Sequence, residues 1–391
     1  MLISRKHRYM ATRNEGVTLG DRCRDSGASS LAVLGESPRL AVSTGQPAEI
    51  MPFVSVVIPC LNEERFISGC LDSIIANEYP KERLEILIID GMSTDRTRQI
   101  VKSYSQRFGF IRLIDNPQKH IPVAMNLGIR HAQGDTIIKI DAHSTYQPDH
   151  ITLCIRYQEE YGAQNTGGIL RILPGASTNF AKAIVIGLGH KFGSGNANIK
   201  IGAPEPTWSD TAAFGCFRKS LFDKIGLFDE RLLSSSDLDM NLRIQAAGGR
   251  ILLVPDIVVS YHADSNLRSF RKHNFADGVW ATYVLKFGSR AWSWRHWVPL
   301  AFILSLLIPL LMALFYPVCA SVSLVVGGIY LATSGFISTR CAVRERNPRL
   351  LLYLPIVFGT RHLAHGWGAL VGLILVGFPG QHWKGRRGVK A

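Results

Sequence analysis

The sequence predicts an α/β fold, a mixed sheet flanked by helices, followed by C-terminal transmembrane helices. Short apolar runs of strand length alternate with segments of helical period between residues 54 and 107, which is typical of a largely parallel sheet. Beyond residue 296, two apolar stretches each approach the roughly 20 residues that span a bilayer. The 391 residues, 47% of them hydrophobic, suffice for one large or two smaller domains together with these apolar segments.

The first strands and helices set the architecture. Val54 to Pro59 is a short apolar run closed by a breaker, and the helix predicted from Glu64 places its apolar residues on one face. Leu84 to Asp90 is a second buried strand, and Ser93-Thr94-Asp95 predicts the cap of a second helix. Ligands of such sheets bind beyond the carboxyl ends of the strands, so this part of the chain is predicted to bind a nucleotide.

Three regions are predicted along the chain. Residues 1–50, rich in Ser, Gly, Arg and Ala, are expected to be a disordered leader without the apolar core of a signal peptide. Residues 51–288 form one α/β domain, with a nucleotide-binding half (51–149) and a half that meets the second substrate (150–288). Residues 289–391 form an interfacial and transmembrane region.

The positive net charge of the chain indicates which kinds of partner it can bind. A net charge of +14 favours nucleic acid, an anionic lipid surface or a phosphorylated substrate. The sequence has no zinc-finger spacing and no aromatic pattern of RNA-binding domains, so we expect no nucleic acid and favour the membrane and phosphate partners. The seven cysteines are scattered and odd in number, which fits a reduced compartment and a cytoplasmic catalytic part.

The membrane region is predicted to cross at Trp297 to Val318 and at Cys319 to Ile337, joined by a tight turn. Leu350 to Phe378 is interpreted as a re-entrant or in-plane helical pair, with a single crossing as the alternative. Trp292 and Trp294 alternate with cations, as in an interfacial anchor. Cations expected on the cytoplasmic side are Arg340, Arg344, Arg346, Arg349, Lys384, Arg386, Arg387 and Lys390. We therefore predict a multi-pass protein of the inner (plasma) membrane.

A carboxylate and an imidazole follow the apolar strand Asp135 to Ile140. Asp141 and His143 are separated by one residue, so both side chains can point the same way from an extended turn. An oxygen and an imidazole ligand suit Mn²⁺ and tolerate Mg²⁺, with a diphosphate supplying further oxygens. The alternative is a solvent-exposed strand end without a metal.

Several ordered motifs resemble a known family. The segments VSVVIPCLNEE (54–64), IIDGMSTDRT (88–97) and AMNLG (124–128), with the Asp-Ala-His turn, resemble the family 2 inverting glycosyltransferases of GT-A fold. With FGCFR (214–218), FDER (228–231) and NLR (241–243), the sequence is most similar to the ExoA-type branch of succinoglycan-like exopolysaccharide biosynthesis. The resemblance covers roughly residues 53–288, and membrane segments at the C-terminus are typical of that branch.

The resemblance implies roles on the donor side. Asp90 takes the position of the residue that accepts a hydrogen bond from the uracil ring, with a polar strand terminus as the alternative. Asp95 is interpreted as a helix cap rather than a ligand. The nucleotide and its diphosphate are expected to be bound by residues that follow several strands. These donor-binding candidates are Pro59, Asn62, Glu63, Asp90, Lys119, Asn126 and Asp141.

The resemblance also implies roles on the acceptor side. Asp237 takes the position of the base that removes the proton of the acceptor hydroxyl, although Ser236 stands where relatives carry Glu or Gln. The alternative is that Asp237 and Asp239 are only first-turn residues favoured by the helix dipole. Asp210 and Asp239 are acceptor-side candidates. His262, after a predicted strand, is a third metal ligand or an acceptor contact, or purely structural.

The function implied is transfer of a hexose from a UDP-sugar, UDP-glucose or UDP-galactose, to a polyprenyl-diphosphate-linked saccharide. Other exopolysaccharide assembly proteins are possible partners. Arg268, Arg271 and Trp280 lie where processive relatives carry Gln-x-x-Arg-Trp, but that spacing is absent, which disfavours a processive synthase. A non-catalytic membrane scaffold with a degenerate nucleotide site is the other alternative. The glycine-rich run Gly187 to Gly193 lacks dinucleotide-binding spacing, so no nicotinamide cofactor is expected.

Overall fold

The computed structural model describes residues 51–232, 235–287 and 297–377. Runs of β-branched and aliphatic residues in this part of the chain form one nine-stranded mixed sheet, in the order β3-β2-β1-β4-β8-β6-β9-β5, with β7 also paired to β9. The strands are β1 (Val54–Cys60), β2 (Leu84–Asp90), β3 (Ile111–Asp115), β4 (Thr136–Lys139), β5 (Ser144–Tyr146), β6 (Asn165–Leu173), β7 (Thr207–Ser209), β8 (Ala213–Arg218) and β9 (Ile251–His262). The first four strands are mutually parallel, and the antiparallel β8 joins them to the parallel pair β6 and β9.

Helices cover both faces of the sheet and continue beyond it. They are α1 (Ile67–Ile75), α2 (Thr97–Arg107), α3 (Ile121–His131), α4 (His150–Tyr161), α5 (Asn179–Gly189), α6 (Lys191–Ser194), α7 (Asn198–Ile201), α8 (Ser220–Ile225), α9 (Ser236–Ala246), α10 (Leu267–Tyr283), α11 (Trp297–Met312), α12 (Ala320–Arg344) and α13 (Leu350–Val376). The mixed sheet flanked by helices confirms the predicted α/β fold. The predicted leader, Trp292, Trp294 and the basic tail lie outside the described residues.

Alternate residues of each central strand enter different apolar cores. Val56 and Ile58 of β1 pack in a cluster with α1 and α4, whereas Val57 packs in a second cluster with α3 and α9. This alternation is the period-two geometry of a strand that is buried on both faces. Because β1, β2 and β4 are parallel, their carboxyl ends lie at one rim of the sheet, where the functional side chains were predicted.

One helix among the described residues is long and apolar enough to cross a membrane, Pro317–Arg344, and only 6% of its apolar window is buried in the protein. The other predicted span gives the 16-residue α11, shorter than the roughly 20 residues required. The turn between them is confirmed, because Pro317–Cys319 forms a short 3₁₀ segment before α12. The described residues therefore do not support the predicted multi-pass topology.

The predicted re-entrant or in-plane helical pair after Leu350 is wrong, because α13 is one continuous helix of 27 residues. Its polar residues are satisfied by the protein. The half-buried Arg361 guanidinium donates to the carbonyl of Gly193 and, at 2.8 Å, to Oδ1 of Asn274. Such internal partners make the polar centre of α13 compatible with burial against the α/β domain.

Glycines bring α13 and α10 into backbone contact. A Cβ atom at Gly278 of α10 would lie 2.0 Å from the carbonyl oxygen of His365, and one at Gly368 of α13 would lie 2.1 Å from that of Phe275. The glycine-rich run around α5 has the same use, since a Cβ at Gly187 would meet Val357 at 2.6 Å. These glycines therefore serve close helix packing.

Candidate active site

The strand register places the predicted acidic residues on one rim of the sheet. Cys60 at the end of β1 is paired with Asp90 at the end of β2, and Lys139 at the end of β4 is paired with Val57. Asp141 follows Lys139 by two residues and so lies at nearly the level of Cys60. Since neighbouring strands are about 4.8 Å apart, Asp90 and Asp141 leave the sheet about 10 Å from each other.

The two loops that follow β1 and β2 are hydrogen-bonded to each other. Asn62, at φ 59°, donates its N–H to Ser93 Oγ at 2.8 Å and accepts the N–H of Thr94 on its side chain at 2.8 Å. The N–H of Glu63 donates to Thr97 Oγ1 at 2.7 Å. Asn62 therefore holds the two loops together in addition to its predicted nucleotide contact. Pro59, another predicted nucleotide contact, is half-buried inside β1.

Asp95 holds the same pair of loops. Its carboxylate accepts the N–H of Thr97 at 2.9 Å, in the first turn of α2, and the N–H of Glu64 at 3.2 Å. Partial burial acts to raise the pKa of Asp95, but the bonds from Thr97 and Glu64 outweigh burial and lower it. This is the chemistry of a helix cap, as the sequence predicted.

Asp90 lies at the predicted position but is committed to the protein. Its side chain is fully buried, accepts both the N–H (3.0 Å) and the hydroxyl (2.5 Å) of Ser93, and pairs with Arg98 at 2.5 Å. The same guanidinium reaches Asp115 at 2.8 Å. Asp90 therefore has protein partners on its carboxylate, and its predicted contact with uracil stays a prediction.

The two candidate metal ligands, Asp141 and His143, differ in whether the protein already provides a partner for the side chain. No hydrogen bond from the described residues reaches the carboxylate of the half-buried Asp141, whereas His143 Nδ1 lies 3.5 Å from Glu63 Oε1. Burial acts to lower the pKa of His143, but Glu63 and Asp141 outweigh it and raise the pKa. An imidazole oriented by a carboxylate is the usual arrangement around a metal-binding histidine. Glu63 is thereby placed behind His143 rather than against a nucleotide.

The described residues contain no group of three or more His, Cys, Asp or Glu side chains that could hold a metal ion. Asp141 and His143 nevertheless fit a divalent cation whose remaining ligands come from a diphosphate, because hard cations in phosphate sites use few protein ligands. The exposed His262 stacks on Phe66 with ring centroids 6.4 Å apart, and its neighbour Tyr261 pairs with Ser144. Its predicted metal or acceptor role stays a prediction.

Two residues that the sequence analysis missed position this rim. The first is the buried Tyr146, whose hydroxyl oxygen accepts the N–H of Asp141 at 2.9 Å. The Tyr146 ring packs edge-on against His150 (centroids 4.9 Å apart) and Phe214 (5.9 Å apart), and Phe214 has the strained φ of 49°. An aromatic residue in a three-residue strand directly after the Asp-Ala-His turn is the signal that could have found it.

The second missed residue is Lys139, which is 7% exposed and forms an ion pair with Oδ2 of Asp237. The side chain of Asp237 itself is 55% exposed. Burial acts to lower the pKa of Lys139, but the negative charges of Asp237 and Asp141 outweigh it and raise the pKa. A lysine inside an apolar strand is the signal for such a role. The ammonium group therefore connects the candidate metal ligand with the candidate base.

Other predicted site residues are held by protein partners. The buried Asp239 pairs with Arg243 at 2.9 Å one turn along α9, so its predicted acceptor role is replaced by a structural one. The buried Asn126 donates to the carbonyl of Phe228 and to Glu230, both at 2.9 Å, and accepts the N–H of Phe228 at 2.9 Å. Asn126 therefore joins α3 to the segment before α9 through these hydrogen bonds, in place of the predicted contact with the diphosphate.

The positions of Lys119 and Asp210 are compatible with their predicted contacts, Lys119 with the diphosphate and Asp210 with the acceptor. Lys119 is exposed at φ 63° in the turn between β3 and α3, on the rim where a diphosphate was predicted. Asp210 follows β7 and receives a long hydrogen bond of 3.5 Å from Ser209. The next residue, Thr211, accepts a bond from Asn241 of α9 at 3.4 Å. Both proposed contacts with substrate stay predictions.

Comparison with known proteins agrees with this geometry. Residues 55–226 match the family described as Glycosyl transferase family 2. The chain contains a family 2 glycosyltransferase domain. This match and the sequence similarity to ExoA confirm the predicted resemblance to the family 2 glycosyltransferases and to their ExoA-type branch.

The relatives cover different shares of the chain. A Methanococcus voltae dolichyl N-acetyl-alpha-D-glucosaminyl phosphate 3-beta-D-2,3-diacetamido-2,3-dideoxy-beta-D-glucuronosyltransferase is 29% identical over 83% of this chain and 98% of its own length. Succinoglycan biosynthesis protein ExoA of Rhizobium meliloti is also 29% identical, over 54% of this chain and 64% of its own length. The archaeal relative is thus similar to this chain over a greater share of its length than ExoA is.

A solved structure supports the fold assignment. The mannosyltransferase PcManGT from Pyrobaculum calidifontis, determined with GDP-Man and Mn²⁺, has a TM-score of 0.54 and covers 83% of this chain and 87% of its own. At 19% sequence identity this likeness shows the fold alone. The family 2 domain of this chain has the GT-A fold that the sequence predicted.

Proposed function

We propose that this glycosyltransferase moves a hexose, foremost glucose from UDP-glucose, to a polyprenyl-diphosphate-linked saccharide in exopolysaccharide biosynthesis. The observation that carries the proposal is the ion pair between Lys139 and Asp237 at the end of β4, because Asp141 follows Lys139 by two residues and a donor-side and an acceptor-side carboxylate thus lie at one rim. The named substrate of the archaeal relative is a lipid phosphate, and ExoA acts in succinoglycan biosynthesis, as their names state. The first name supports a lipid-linked acceptor, and the second supports a role in exopolysaccharide biosynthesis.

In the proposed reaction Asp237 accepts the proton of the acceptor hydroxyl as its oxygen attacks the anomeric carbon. The attack opposite the departing diphosphate inverts the configuration, so an α-linked donor gives a β-linked product. Lys139 holds the Asp237 carboxylate over the rim, and Glu63 orients His143. When bound by Asp141 and His143, Mg²⁺ or Mn²⁺ supplies positive charge that neutralises the diphosphate.

The proposal places the site at a membrane surface. The helix Pro317–Arg344 presents large apolar side chains to solvent, among them Leu324 at 75% and Leu331 at 68% exposure. The loop after this helix carries two exposed arginines, Arg346 and Arg349, and the end of the helix carries two more, Arg340 and Arg344. The loop is tied to the α/β domain by a 2.7 Å bond from Asn347 to Asn179. Because cations favour the cytoplasmic leaflet, we place the rim on the cytoplasmic side of the inner membrane.

Asp237→Asn tests the role of the base. We expect it to lower transfer at least about 100-fold, since an amide cannot accept the proton, while UDP binding stays within about twofold. The matched control is Asp223→Asn, an exposed carboxylate of α8 at the opposite edge of the sheet. The measurement is transfer of labelled sugar together with UDP affinity; normal turnover of Asp237→Asn would exclude the base assignment.

Membranes incubated with radiolabelled UDP-sugars separate this function from its alternatives. Label in the lipid extract supports a transferase that acts on a lipid-linked acceptor. Label in polymer would identify a processive synthase, and label in neither fraction, with every UDP-sugar, would identify a non-catalytic scaffold. Parallel incubations with UDP-glucose and UDP-galactose identify the sugar.

A further inference from the structure

A cavity of about 700 Å³ lies between α10, α11 and α13, outside the rim described above. This volume falls in the range of about 300–1,000 Å³ that is common for small-molecule sites. One wall, from the first turns of α10, carries three cations, and the other walls are largely apolar. The residues that matter are Arg268, Arg271, Lys272, Ile303, Leu363 and Trp367.

The cationic wall selects for negative charge. Arg268, Arg271 and Lys272 are all exposed, and none of the described residues that line the cavity is a carboxylate. Two carboxylates lie near these cations in sequence. Asp264 is already paired with His273 at 2.7 Å, and Asp277 of α10 also acts on His273 through its charge. Two guanidinium groups with an ammonium group form a strong site for phosphate oxygens, because arginine bonds are bidentate and charge-assisted.

The opposite wall selects for an apolar chain. Trp367 is 47% exposed and Leu363 is 44% exposed, and they lie one turn apart on α13 with the buried Ile303 of α11 beside them. Isolated exposed apolar residues need no explanation, but an aromatic and two aliphatic side chains that face three cations across one cavity form an amphiphilic site.

The cavity is close to the rim. Arg268 follows His262 by six residues, so their Cα atoms cannot be more than about 22 Å apart. The Asp264–His273 ion pair also joins the segment after β9 to the second turn of α10. A ligand in the cavity is therefore within reach of the site where sugar is transferred.

We propose that this cavity binds the diphosphate and the first isoprene units of the lipid-linked acceptor, with the diphosphate on Arg268, Arg271 and Lys272 and the chain against Leu363 and Trp367. The inference rests on the proposed function and assigns it an acceptor site. A diphosphate matches three cations better than the single phosphate of a common phospholipid does, and the closeness of the rim gives such a ligand a use there.

The test measures binding of radiolabelled farnesyl diphosphate to the detergent-solubilised full chain, without donor. The double variant Arg268→Gln/Arg271→Gln should weaken binding about tenfold or more, since charge-assisted bonds are lost. The matched control, Lys102→Gln/Arg130→Gln, removes two exposed cations of α2 and α3 and should bind as the unchanged protein does. Equal affinity of the two double variants would overturn the inference.

Competing ligands then identify what the cavity recognises. Farnesol, which lacks the phosphates, and phosphatidylglycerol, which carries one, should each displace the probe much more weakly than unlabelled farnesyl diphosphate does. Displacement by phosphatidylglycerol as effective as by farnesyl diphosphate would assign the cavity to bulk anionic lipid and overturn the proposal. Trp367→Ala should weaken binding of farnesyl diphosphate but not that of inorganic pyrophosphate, and an unchanged affinity for farnesyl diphosphate would remove the apolar wall from the site.

This design separates the two proposals. If the unchanged protein binds farnesyl diphosphate through Arg268 and Arg271 but transfers no sugar to lipid, the proposed function fails and the site stands. If it transfers sugar to lipid while both double variants bind the probe equally, the acceptor site is elsewhere and the proposed function stands.

Discussion

At the scale of single residues, the active rim depends on one lysine in a buried strand. Lys139 interacts with carboxylates on both sides, Asp237 through an ion pair and Asp141 through its charge. A buried ammonium group without such partners would be strongly unfavourable. Its position therefore fixes the first turn of α9, which carries Asp237, against the end of β4.

Replacing Lys139 tests this positioning role. Lys139→Met should lower kcat about 10- to 100-fold, because the base loses its fixed orientation, while the KM for the UDP-sugar changes less than threefold. Lys139→Arg should restore part of kcat. If both variants kept the kcat of the unchanged protein and differed from it only in thermal stability, Lys139 would have a structural role and not a positioning role. Lys102→Met, an exposed lysine of α2, is the control.

The sequence predicted the positions of the candidate site residues better than it predicted their hydrogen-bond and ion-pair partners. The spacing of Asp141 and His143, and the likeness around Asp237, placed all three where the structure has them. Asp90 was also placed correctly, but its pairing with Arg98 follows from the path of α2. Asn126 was misassigned because its partner Phe228 is 102 residues away, and no local pattern reports such a contact.

At the scale of helices and strands, periodicity predicted the α/β part and failed after residue 350. The runs that form β1 and β2 are mostly apolar on both faces, which is typical of a strand buried on both faces. The α13 sequence has apolar residues and a polar centre, a pattern shared by membrane-embedded and internally buried helices. Only the partners of Arg361, from α10 and α6, distinguish the two.

The close contact between α10 and α13 predicts that replacing a glycine with alanine lowers stability at this contact but not elsewhere in the C-terminal helices. Gly368→Ala should lower the free energy of unfolding by about 1–3 kcal/mol, because the new Cβ would lie 2.1 Å from a backbone oxygen and the helices must separate. Gly335→Ala in α12, where nothing lies within 4 Å, should be neutral or slightly stabilising. Thermal unfolding in detergent measures both, and equal effects would contradict the packing described.

The start of α10 should be sensitive to pH. The hydrogen bond from His273 to Asp264 raises the histidine pKa above 6.5, with Asp277 acting in the same direction and burial and Lys272 against it. Because the folded-state pKa is raised, the pair contributes its full stability below about pH 6.5 and loses it as pH rises through the folded pKa. His273→Gln should remove this loss of stability between neutral and alkaline pH.

Unfolding temperatures of the His273→Gln variant and the unchanged protein, measured from pH 6 to 9, check this expectation. The difference between them should shrink as the pH rises. A difference that stays constant over the range would show that the ion pair does not titrate there.

At the scale of the whole molecule, the C-terminal helices are divided between two surroundings. The exposed side chains of α12 need an apolar environment, whereas α13 shares a buried cluster with α5 and α10 that includes Ile184, Phe270, Leu354 and Phe358. The sequence predicted a boundary near residue 288, but the packing of α13 makes it part of the structure that supports the α/β domain.

Removing residues 288–391 should therefore not release a soluble transferase. The truncated chain would expose the apolar faces of α5 and α10, and we expect it to aggregate or to bind hydrophobic dyes, with loss of cooperative unfolding. Size-exclusion chromatography and calorimetry against the full chain in detergent measure this. A monomeric fragment that unfolds cooperatively and binds UDP would show that the first 287 residues fold independently.

The ammonium group of Lys139, at the end of β4, limits how the acceptor specificity of this protein can change in evolution. Because Lys139 lies in the predicted nucleotide-binding half and Asp237 in the predicted acceptor half, the ion pair between them means that the two halves cannot be exchanged independently. A chimera that took only its acceptor half from a relative lacking an aspartate at this position would leave a buried cation without its counter-ion. New acceptor specificities should therefore arise by joint exchange of both positions, or by changes in the helices beyond residue 262.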